Sequence, residues 1–346
     1  MNRNELTKEI AVRQDYSKGI KKLFGFYNTL PDPDPILSKT GKAFETYREL
    51  TSDAHLYANI QQRKAGIVSL EREVVPASND PLSLYIAGYL ENELDPDNII
   101  SQILNAPLYG FTVLEIVWTQ VNLRSGEYLL PLRIEEKPQE WFTFSLNNEL
   151  LYRGESDQPR PVPPNKFILI QNNATYMNPY GEKALSRCYY PVVFKRNGLD
   201  YWVSFTEKYG MPFIVGKQPR TTTDEEADNL LTILQDMPLN NVAVIPDDSS
   251  IEIISFPSGA SIDAYRTFLE FMNSEISKAV LTQTLTTEIL SRGSYAATKT
   301  HKEMLSLLTK NDMKLVEKGM NKIINMISKL NGYEKAVAEF KFVNSN

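Results

Sequence analysis

The apolar positions in the first half of the chain change spacing, and that change predicts mixed secondary structure. Residues 53–76 begin with helical spacing and end in a strand-like run, and Asp80-Pro81 predicts the start of another helix. Alternating runs separated by turn residues follow at 111–119, 128–135, 140–145, 150–152 and 167–171. This part of the chain therefore predicts an α+β domain with an antiparallel sheet.

Two long helical patterns come next, and they enclose a compact segment. Apolar residues three and four apart run through 183–209 and again through 261–283. Between them, residues 211–257 predict a strand, a helix and two further strands. A small unit is thus inserted between two helices that emerge from the larger domain.

The remaining segments are predicted to be an arm, a loop and a last helix. The alternating prolines of Pro31–Pro35 forbid helix and favour an extended arm. The loop Thr284–Ala297 is small and hydroxylic, and it contains Gly293. A final helix is predicted over Lys299–Leu330, before a tail at 332–346.

Net charge, the length of the apolar runs and the cysteine count exclude several classes of protein. The chain has 346 residues, 42% of them hydrophobic, and a net charge of −6, so a globally basic nucleic-acid surface is excluded. No apolar run approaches the roughly 18 residues of a membrane helix, and the N-terminus lacks a hydrophobic signal core. Cys188 is the only cysteine, which excludes an intrachain disulfide. We expect an intracellular, soluble protein without a membrane partner.

The residues that could carry catalysis form no convincing set. Gly293–Thr300 matches a phosphate loop except that Thr298 replaces the second glycine, so it is better interpreted as a helix N-terminus. Glu135, Glu136 and Lys137, with Glu115 upstream, could belong to a metal-dependent nuclease or be solvated charge at strand ends.

The sequence offers no pairing of a nucleophile with a base, and two widely separated histidines, His55 and His301, do not favour zinc. His301 is interpreted as a surface residue. No catalytic residue, metal or cofactor is therefore predicted.

Aromatic residues recur on both long helices. Trp202 and Phe205 lie on the first, and Tyr265 and Phe268 on the second, followed by Met272. Exposed rings in a basic groove could stack on nucleic-acid bases. Their helical spacing favours helix–helix packing, so these five residues are predicted packing and oligomer contacts.

Several separated motifs share the order and spacing of one known family. They are APLYGFTVLEIVW at 106–118, residues 166–170 before Pro179-Tyr180-Gly181, WVSFTEKYGMPFIVG at 202–216, Val244-Ile245-Pro246 with Ile251-Glu252, and ISKAVLTQTLTT at 276–287 followed by 294–297 and His301. From Asp53 to Asn331 the sequence resembles the portal proteins of tailed bacteriophages, in the branch typified by phage Mu. Thr282 stands where that family usually has glycine, and the C-terminal crown of the family is expected to be short, absent or removed.

The resemblance implies a division of the chain that agrees with the pattern above. It comprises an N-terminal arm (1–45), a wing (46–182), a first stem helix (183–209), an inserted clip (211–257), a second stem helix (261–283), a tunnel loop (284–297), a C-terminal wing or crown helix (298–331) and the tail (332–346). The implied fold class is the α+β portal fold, assembled into a ring.

The resemblance also implies a function. A portal is a homo-oligomeric ring of about a dozen copies, a dodecamer, at one capsid vertex, and double-stranded DNA is packaged and ejected through it. Its implied partners are the major capsid protein and scaffold, the terminase large subunit, and head-completion or neck proteins. It would reside in the virion, and in the host cytoplasm during assembly, without enzymatic activity.

If the chain is a portal protein, its tunnel loop would contact DNA without base specificity. Arg292 is the first candidate for a phosphate contact, and Lys299, Ser291 and Ser294 are further channel residues. The alternatives are the nuclease, or another DNA-processing enzyme of a mobile element, and an intracellular scaffold whose long helices pair with a partner.

Overall fold

A computed structural model describes residues 29–36, 44–153, 158–209, 213–217, 223–240, 250–254, 258–284 and 295–343. In chain order its elements are β1 (Thr29–Leu30), α1 (Glu45–Leu50), α2 (Ala54–Val68), β2 (Arg72–Pro76), α3 (Pro81–Asn92), α4 (Pro96–Ile103), α5 (Ala106–Tyr109), β3 (Phe111–Leu123), β4 (Gly126–Lys137), β5 (Phe142–Ser145), β6 (Leu150–Tyr152), β7 (Arg160–Pro161), β8 (Phe167–Gln171), α6 (Ala184–Tyr209), β9 (Phe213–Lys217), α7 (Asp224–Asn240), β10 (Ser250–Ile254), α8 (Ser258–Leu281), α9 (Tyr295–Leu330) and β11 (Ala338–Phe342).

The chain divides into two compact units. One comprises residues 1–189 and 274–346, and the other comprises residues 190–273. The first boundary falls inside α6, next to Pro191, whose ring nitrogen cannot donate the helical hydrogen bond. The two units are described separately below.

The core of the larger unit lies between the sheet β4-β3-β8 and helices α3, α4 and α9. Every pairing in that sheet is antiparallel, as the sequence predicts, and a bulge interrupts the β3–β4 register between Val117 and Trp118. The inner faces carry β-branched and leucine side chains such as Leu114, Ile168 and Ile323. This apolar contact holds α9 against the sheet over most of the helix's second half.

Two glycines of the family-like motifs meet at the edge of this sheet. Gly110 (φ +92°) precedes β3, and Gly181 (φ +73°) follows the loop after β8. A Cβ on Gly110 would clash with the Tyr180 carbonyl, and one on Gly181 would clash with the Gly110 carbonyl. Positive φ and this close backbone approach both require glycine, which explains the residue type at both positions.

A second sheet, β1-β5-β6-β7, packs through aromatic rings onto β3. Phe111 meets Phe144 and Tyr180 edge to face, with ring centroids 5.5 and 5.9 Å apart. Such contacts each contribute about 0.5–1.5 kcal/mol beyond burial. The Tyr180 hydroxyl donates to the Leu30 carbonyl at 2.6 Å, and so holds the extended arm at this sheet.

The structure adds three strands that the pattern did not predict: the two-residue strands β1 and β7 and the five-residue strand β11. β11 pairs antiparallel with β2, from Ala338 opposite Pro76 to Phe342 opposite Arg72, inside the segment predicted only as a tail. The other edge of β11 is covered by α9. Asn321 Nδ2 donates to the Phe340 carbonyl, and Asn321 Oδ1 accepts from the Phe340 amide. The residues of β11 alternate apolar and polar as a half-buried strand does, so the signal was present in the sequence and was not recognised.

The smaller unit contains most of α6 and α8 together with β9, α7 and β10. β9 and β10 form an antiparallel pair, with Phe213 opposite Ile254. The Glu226 amide donates to the Thr223 hydroxyl, and the Thr223 amide donates to the Glu226 carboxylate, so the two residues cap the first turn of α7 reciprocally. The predicted strand at 242–245 lies outside the described residues.

Candidate functional site

Within the smaller unit, α6 and α8 approach each other closely at Gly198. A Cβ on that residue would lie 2.8 Å from Cε1 of Phe268, so only glycine lets this ring sit against the backbone of α6. One turn further, Trp202 stacks on Tyr265 with centroids 6.5 Å apart and planes 3° from parallel. Phe205 also contacts Tyr265, at 5.7 Å. The structure therefore brings together four of the five predicted packing residues; the fifth, Met272, is buried on α8.

The same pair of helices leaves an apolar cleft open to solvent. It has a volume of about 540 Å³ and is lined by rings that include Phe194, Tyr201 and Phe268. Tyr201 is 69% exposed, and Phe271 on α8 is 55% exposed. Contiguous apolar surface of this kind marks an interaction site more often than it marks free surface.

In the larger unit, the start of α6 is held by the extended arm. Lys183 is buried, and its Nζ lies 2.8 Å from Asp32 Oδ1 and 3.7 Å from Asp34 Oδ2. Asp34 also accepts hydrogen bonds from the Tyr47 hydroxyl and from Ser186. The sequence predicted the extended conformation of Pro31–Pro35, but not the buried lysine that both aspartates bind.

The end of α8, from which the predicted tunnel loop begins, is fixed by α2 and α9. Arg63 on α2 binds Asp312 on α9 through Nε and Nη2, at 2.7 and 2.9 Å. Its Nη1 donates to the Val280 carbonyl in the last turn of α8 at 2.9 Å. Both charged side chains are nearly buried, so this pair joins three helices at one point.

Hydrogen bonds between α2 and α8 support the same place one turn earlier. His55 Nε2 lies 2.7 Å from the Ser277 hydroxyl, and Asn59 Nδ2 donates to that hydroxyl at 3.1 Å. His55, Asn59 and Arg63 are four residues apart, so they share one face of α2. The signal for this cluster in the sequence is the polar i, i+4 row within an otherwise amphipathic helix, and it was not recognised as a contact with α8.

Helix α8 ends earlier than the sequence predicted, at Leu281 rather than at 283. The cause is Thr282, which has φ of +60°. A β-branched residue in this region is strained, whereas glycine is not. The glycine that the family usually carries here thus matches the backbone conformation of this chain.

Of the four residues predicted to contact DNA, only Lys299 lies in the part of the chain that the structure describes. Arg292, Ser291 and Ser294 lie outside the described residues, as does the glycine of the loop that resembles a phosphate loop. Helix α9 begins at Tyr295, so 295–297 belong to the helix rather than to the predicted loop, and Lys299 lies in its first turns. The role of all four residues stays a prediction.

The carboxylates considered for a nuclease are engaged in other contacts. Glu136 is largely buried, which raises the pKa of its carboxyl group, and it accepts hydrogen bonds from Asn105, Thr112 and Gln139. Lys137 pairs with Glu115 and Glu135 at 3.2 and 3.3 Å. Among the described residues there is no group of three His, Cys, Asp or Glu side chains that could hold a metal ion. No observation in the described part of the chain supports the nuclease.

Solved structures that share this fold come from the neck and the virion of gene transfer agent (GTA) particles. The structure shares its fold with a chain from the "Neck of native GTA particle computed with C12 symmetry", with a TM-score of 0.65, 11% identity, and coverage of 94% of this chain and 88% of that one. A chain from the "Virion of native gene transfer agent (GTA) particle" gives a TM-score of 0.59 at 11% identity, over 87% and 84% of the two chains. This chain therefore has the same α+β fold as these neck and virion chains.

The sequence comparison specifies the family. Residues 44–346 match the family described as "Portal protein of Mu bacteriophage", and the chain belongs to that family. It is 26% identical over 285 residues to the portal protein of Escherichia phage Mu, covering 78% of this chain and 53% of that protein. It is 24% identical over 243 residues to the Mu-like prophage FluMu protein gp29 of Haemophilus influenzae, covering 68% and 46%.

The chain therefore spans about half the length of the curated relatives that it matches. None of the helices described here is both long and apolar enough to cross a membrane.

Proposed function

We propose that this chain is a subunit of a phage portal, a ring at one capsid vertex through which double-stranded DNA passes. The observation that carries the proposal is the family match, which spans both long helices, the unit between them and the last helix. A ring requires heterologous contacts that close, with a different surface of each copy meeting its neighbour. The role is structural and includes no catalytic step.

The apolar cleft between α6 and α8 is a candidate ring contact. A pair of helices in a single copy cannot cover both of its apolar faces, and the exposed rings at Tyr201 and Phe271 belong to such a face. The next copy in the ring would cover them. Trp202, Phe205, Tyr265, Phe268 and Met272 would shape this contact from inside the unit.

The remaining assignments follow the division of the chain inferred from sequence. Residues 211–257 would form the clip, which docks the terminase large subunit during packaging and head-completion or neck proteins afterwards. The larger unit would face the capsid protein and scaffold. Residues 284–297 would line the channel, with Arg292 meeting DNA phosphates without base specificity. The mature location would be the virion, after assembly in the host cytoplasm.

The mass of the assembly tests the proposal. The full chain should elute as a ring of about a dozen copies by light scattering, and negative-stain images should show an axial hole. Tyr201→Asp should reduce the mass to that of small species, because it places a charge in the proposed contact. Phe268→Asp should do the same, but that ring also packs within the chain, so Tyr201→Asp is the cleaner variant.

Leu84→Asp is the matched control, because Leu84 is exposed on the larger unit, outside this contact. It should form normal rings. If Tyr201→Asp also forms normal rings, the stem contact is wrong, and a wild-type chain that stays monomeric contradicts the proposal itself.

One deletion and one substitution test the proposed roles of residues 211–257 and of Arg292. A chain lacking 211–257 should keep the larger unit folded yet fail to package DNA, and packaging by that chain would exclude the clip role. Arg292→Ala should leave ring formation intact and alter DNA packaging or retention. If crosslinks through residue 292 in filled particles reach protein alone, the loop does not line the channel.

A further inference from the structure

One face of α9 carries a row of lysines. Lys310, Lys314, Lys318 and Lys322 are four residues apart, so they lie along one side of the helix. At a rise of 1.5 Å per residue the row is about 18 Å long. We call these four residues the lysine ladder. All four are exposed.

The ladder is not neutralised within the described part of the chain. The nearest acidic side chains on α9 serve other partners: Asp312 binds Arg63, and Glu317 accepts from the Phe342 amide. No ion pair to the ladder occurs among the described residues, whereas Lys137, Lys278 and Lys341 each pair with a carboxylate.

Each pair of like charges at i, i+4 destabilises a helix by about 0.2–0.5 kcal/mol, and no ion pair among the described residues offsets this cost. Lys322 Nζ donates to the Leu169 carbonyl at 2.7 Å, which leaves its positive charge in place. The pKa of Lys322 lies below its ordinary value, first because the ammonium group is partly desolvated and then because Lys318 is close. Four adjacent positive charges in a chain of net charge −6 favour an anionic partner.

A polar cleft of about 670 Å³ lies beside the ladder in the larger unit. Its lining includes Lys314, Lys318, Lys278 and Arg187, the amide side chains of Asn172 and Asn173, and the carboxylates of Glu182 and Asp312. Glu182 lies 3.9 Å from Arg187 and accepts a hydrogen bond from Asn173, Lys278 pairs with Glu275, and Asp312 is bound by Arg63. Lys314 and Lys318 are therefore the cations of this cleft that make no ion pair among the described residues. Lysine, arginine and asparagine are the side chains that proteins use to contact DNA phosphates.

We propose that the lysine ladder and this cleft bind the phosphodiester backbone of duplex DNA, at a surface separate from the segment 284–297. The inference rests on the function proposed above. A row of about 18 Å is longer than a single phosphate group, so the fitting ligand is a continuous polyanion. Lysine ammonium groups are point charges without base-reading geometry, so the contact is independent of sequence. Lysine is depleted at protein–protein interfaces, which disfavours a neighbouring copy as the occupant.

The salt dependence of DNA binding tests the proposal. The full chain is titrated onto a fluorescent duplex of random sequence, and the association constant is followed by anisotropy over a salt series. Each phosphate contact contributes about −0.9 to the slope of log K against log salt. Lys314→Gln with Lys318→Gln should therefore reduce the slope by about 1.8 for each subunit of the ring that contacts the duplex. Lys329→Gln with Lys335→Gln removes the same charge from exposed positions outside the ladder and should leave the slope unchanged.

Three results would overturn the inference: equal slope changes in both double variants, no DNA binding by wild-type rings, or a ladder variant that loses ring mass while keeping its DNA slope. The last would make the ladder a contact between copies. Light scattering on the same samples separates the two proposals, because normal rings with an unchanged slope leave the portal assignment standing, whereas absence of rings contradicts that assignment.

Discussion

Substituting Arg63 with methionine tests the junction that fixes the end of α8. The change keeps the apolar stem and removes the guanidinium group, so the Asp312 carboxylate, whose side chain is 5% exposed, loses its two hydrogen bonds. The Val280 carbonyl loses its donor as well. Leaving one partner of a buried ion pair unpaired costs about 3–5 kcal/mol. We expect the free energy of unfolding of the larger unit to fall by that amount.

A double-mutant cycle separates the pair from its surroundings. Asp312→Leu alone should also destabilise, because it leaves the Arg63 charge buried. The double variant Arg63→Met with Asp312→Leu removes both charges and should cost only about 1 kcal/mol, from the orphaned Val280 carbonyl. Arg187→Met is the control, since this arginine of the same cleft is 57% exposed and should change stability by less than about 0.5 kcal/mol.

Urea unfolding of the full chain, followed by circular dichroism, measures all four variants. Additive costs in the double variant would show that the two charges do not interact in solution. A cost below about 1 kcal/mol for Arg63→Met would refute the burial argument itself.

Further predictions concern the loop start, the thiol and the arm. Thr282→Gly should stabilise by about 0.5–1 kcal/mol because it relieves a positive φ, whereas Thr282→Ala, which keeps the Cβ, should not; thermal unfolding compares them. Burial raises the pKa of the Cys188 thiol to about 12, so a disulfide reagent at pH 8 should label it only as fast as the unit unfolds, and rapid labelling of folded protein would contradict this. Lys183→Met leaves Asp32 and Asp34 without their buried cation and should cost about 3–5 kcal/mol, with early hydrogen exchange at 29–36; unchanged protection there would show that the arm is held by other contacts.

Periodicity was sufficient for the elements that are long or strongly patterned. The strands at 150–152 and 167–171 have their predicted bounds, and α6 begins one residue after its predicted start. The spacing of apolar residues and the positions of turn residues predict these elements, and both can be read from neighbouring positions in the sequence. The family resemblance rested on the same local motifs, and the match over residues 44–346 confirms it.

The sequence could not predict contacts between residues that are far apart in the chain. Arg63 and Asp312 are separated by 249 residues, and Lys183 and Asp32 by 151. A lone arginine or lysine in a sequence is most often exposed, so nothing marked these two as buried. Only the packing of α2 against α8 and α9, and of the arm against α6, decides that their charges are paired.

Sequence by itself determined the fold class, most of the long or strongly patterned elements, and the family, because each depends on local spacing or on short motifs. Tertiary structure alone decided that β11 completes a sheet with β2, that Thr282 ends α8 with a positive φ, and that Lys314 and Lys318 line a cleft without an ion pair among the described residues. These features depend on which distant surfaces meet, and side-chain burial and charge pairing are fixed only at that point.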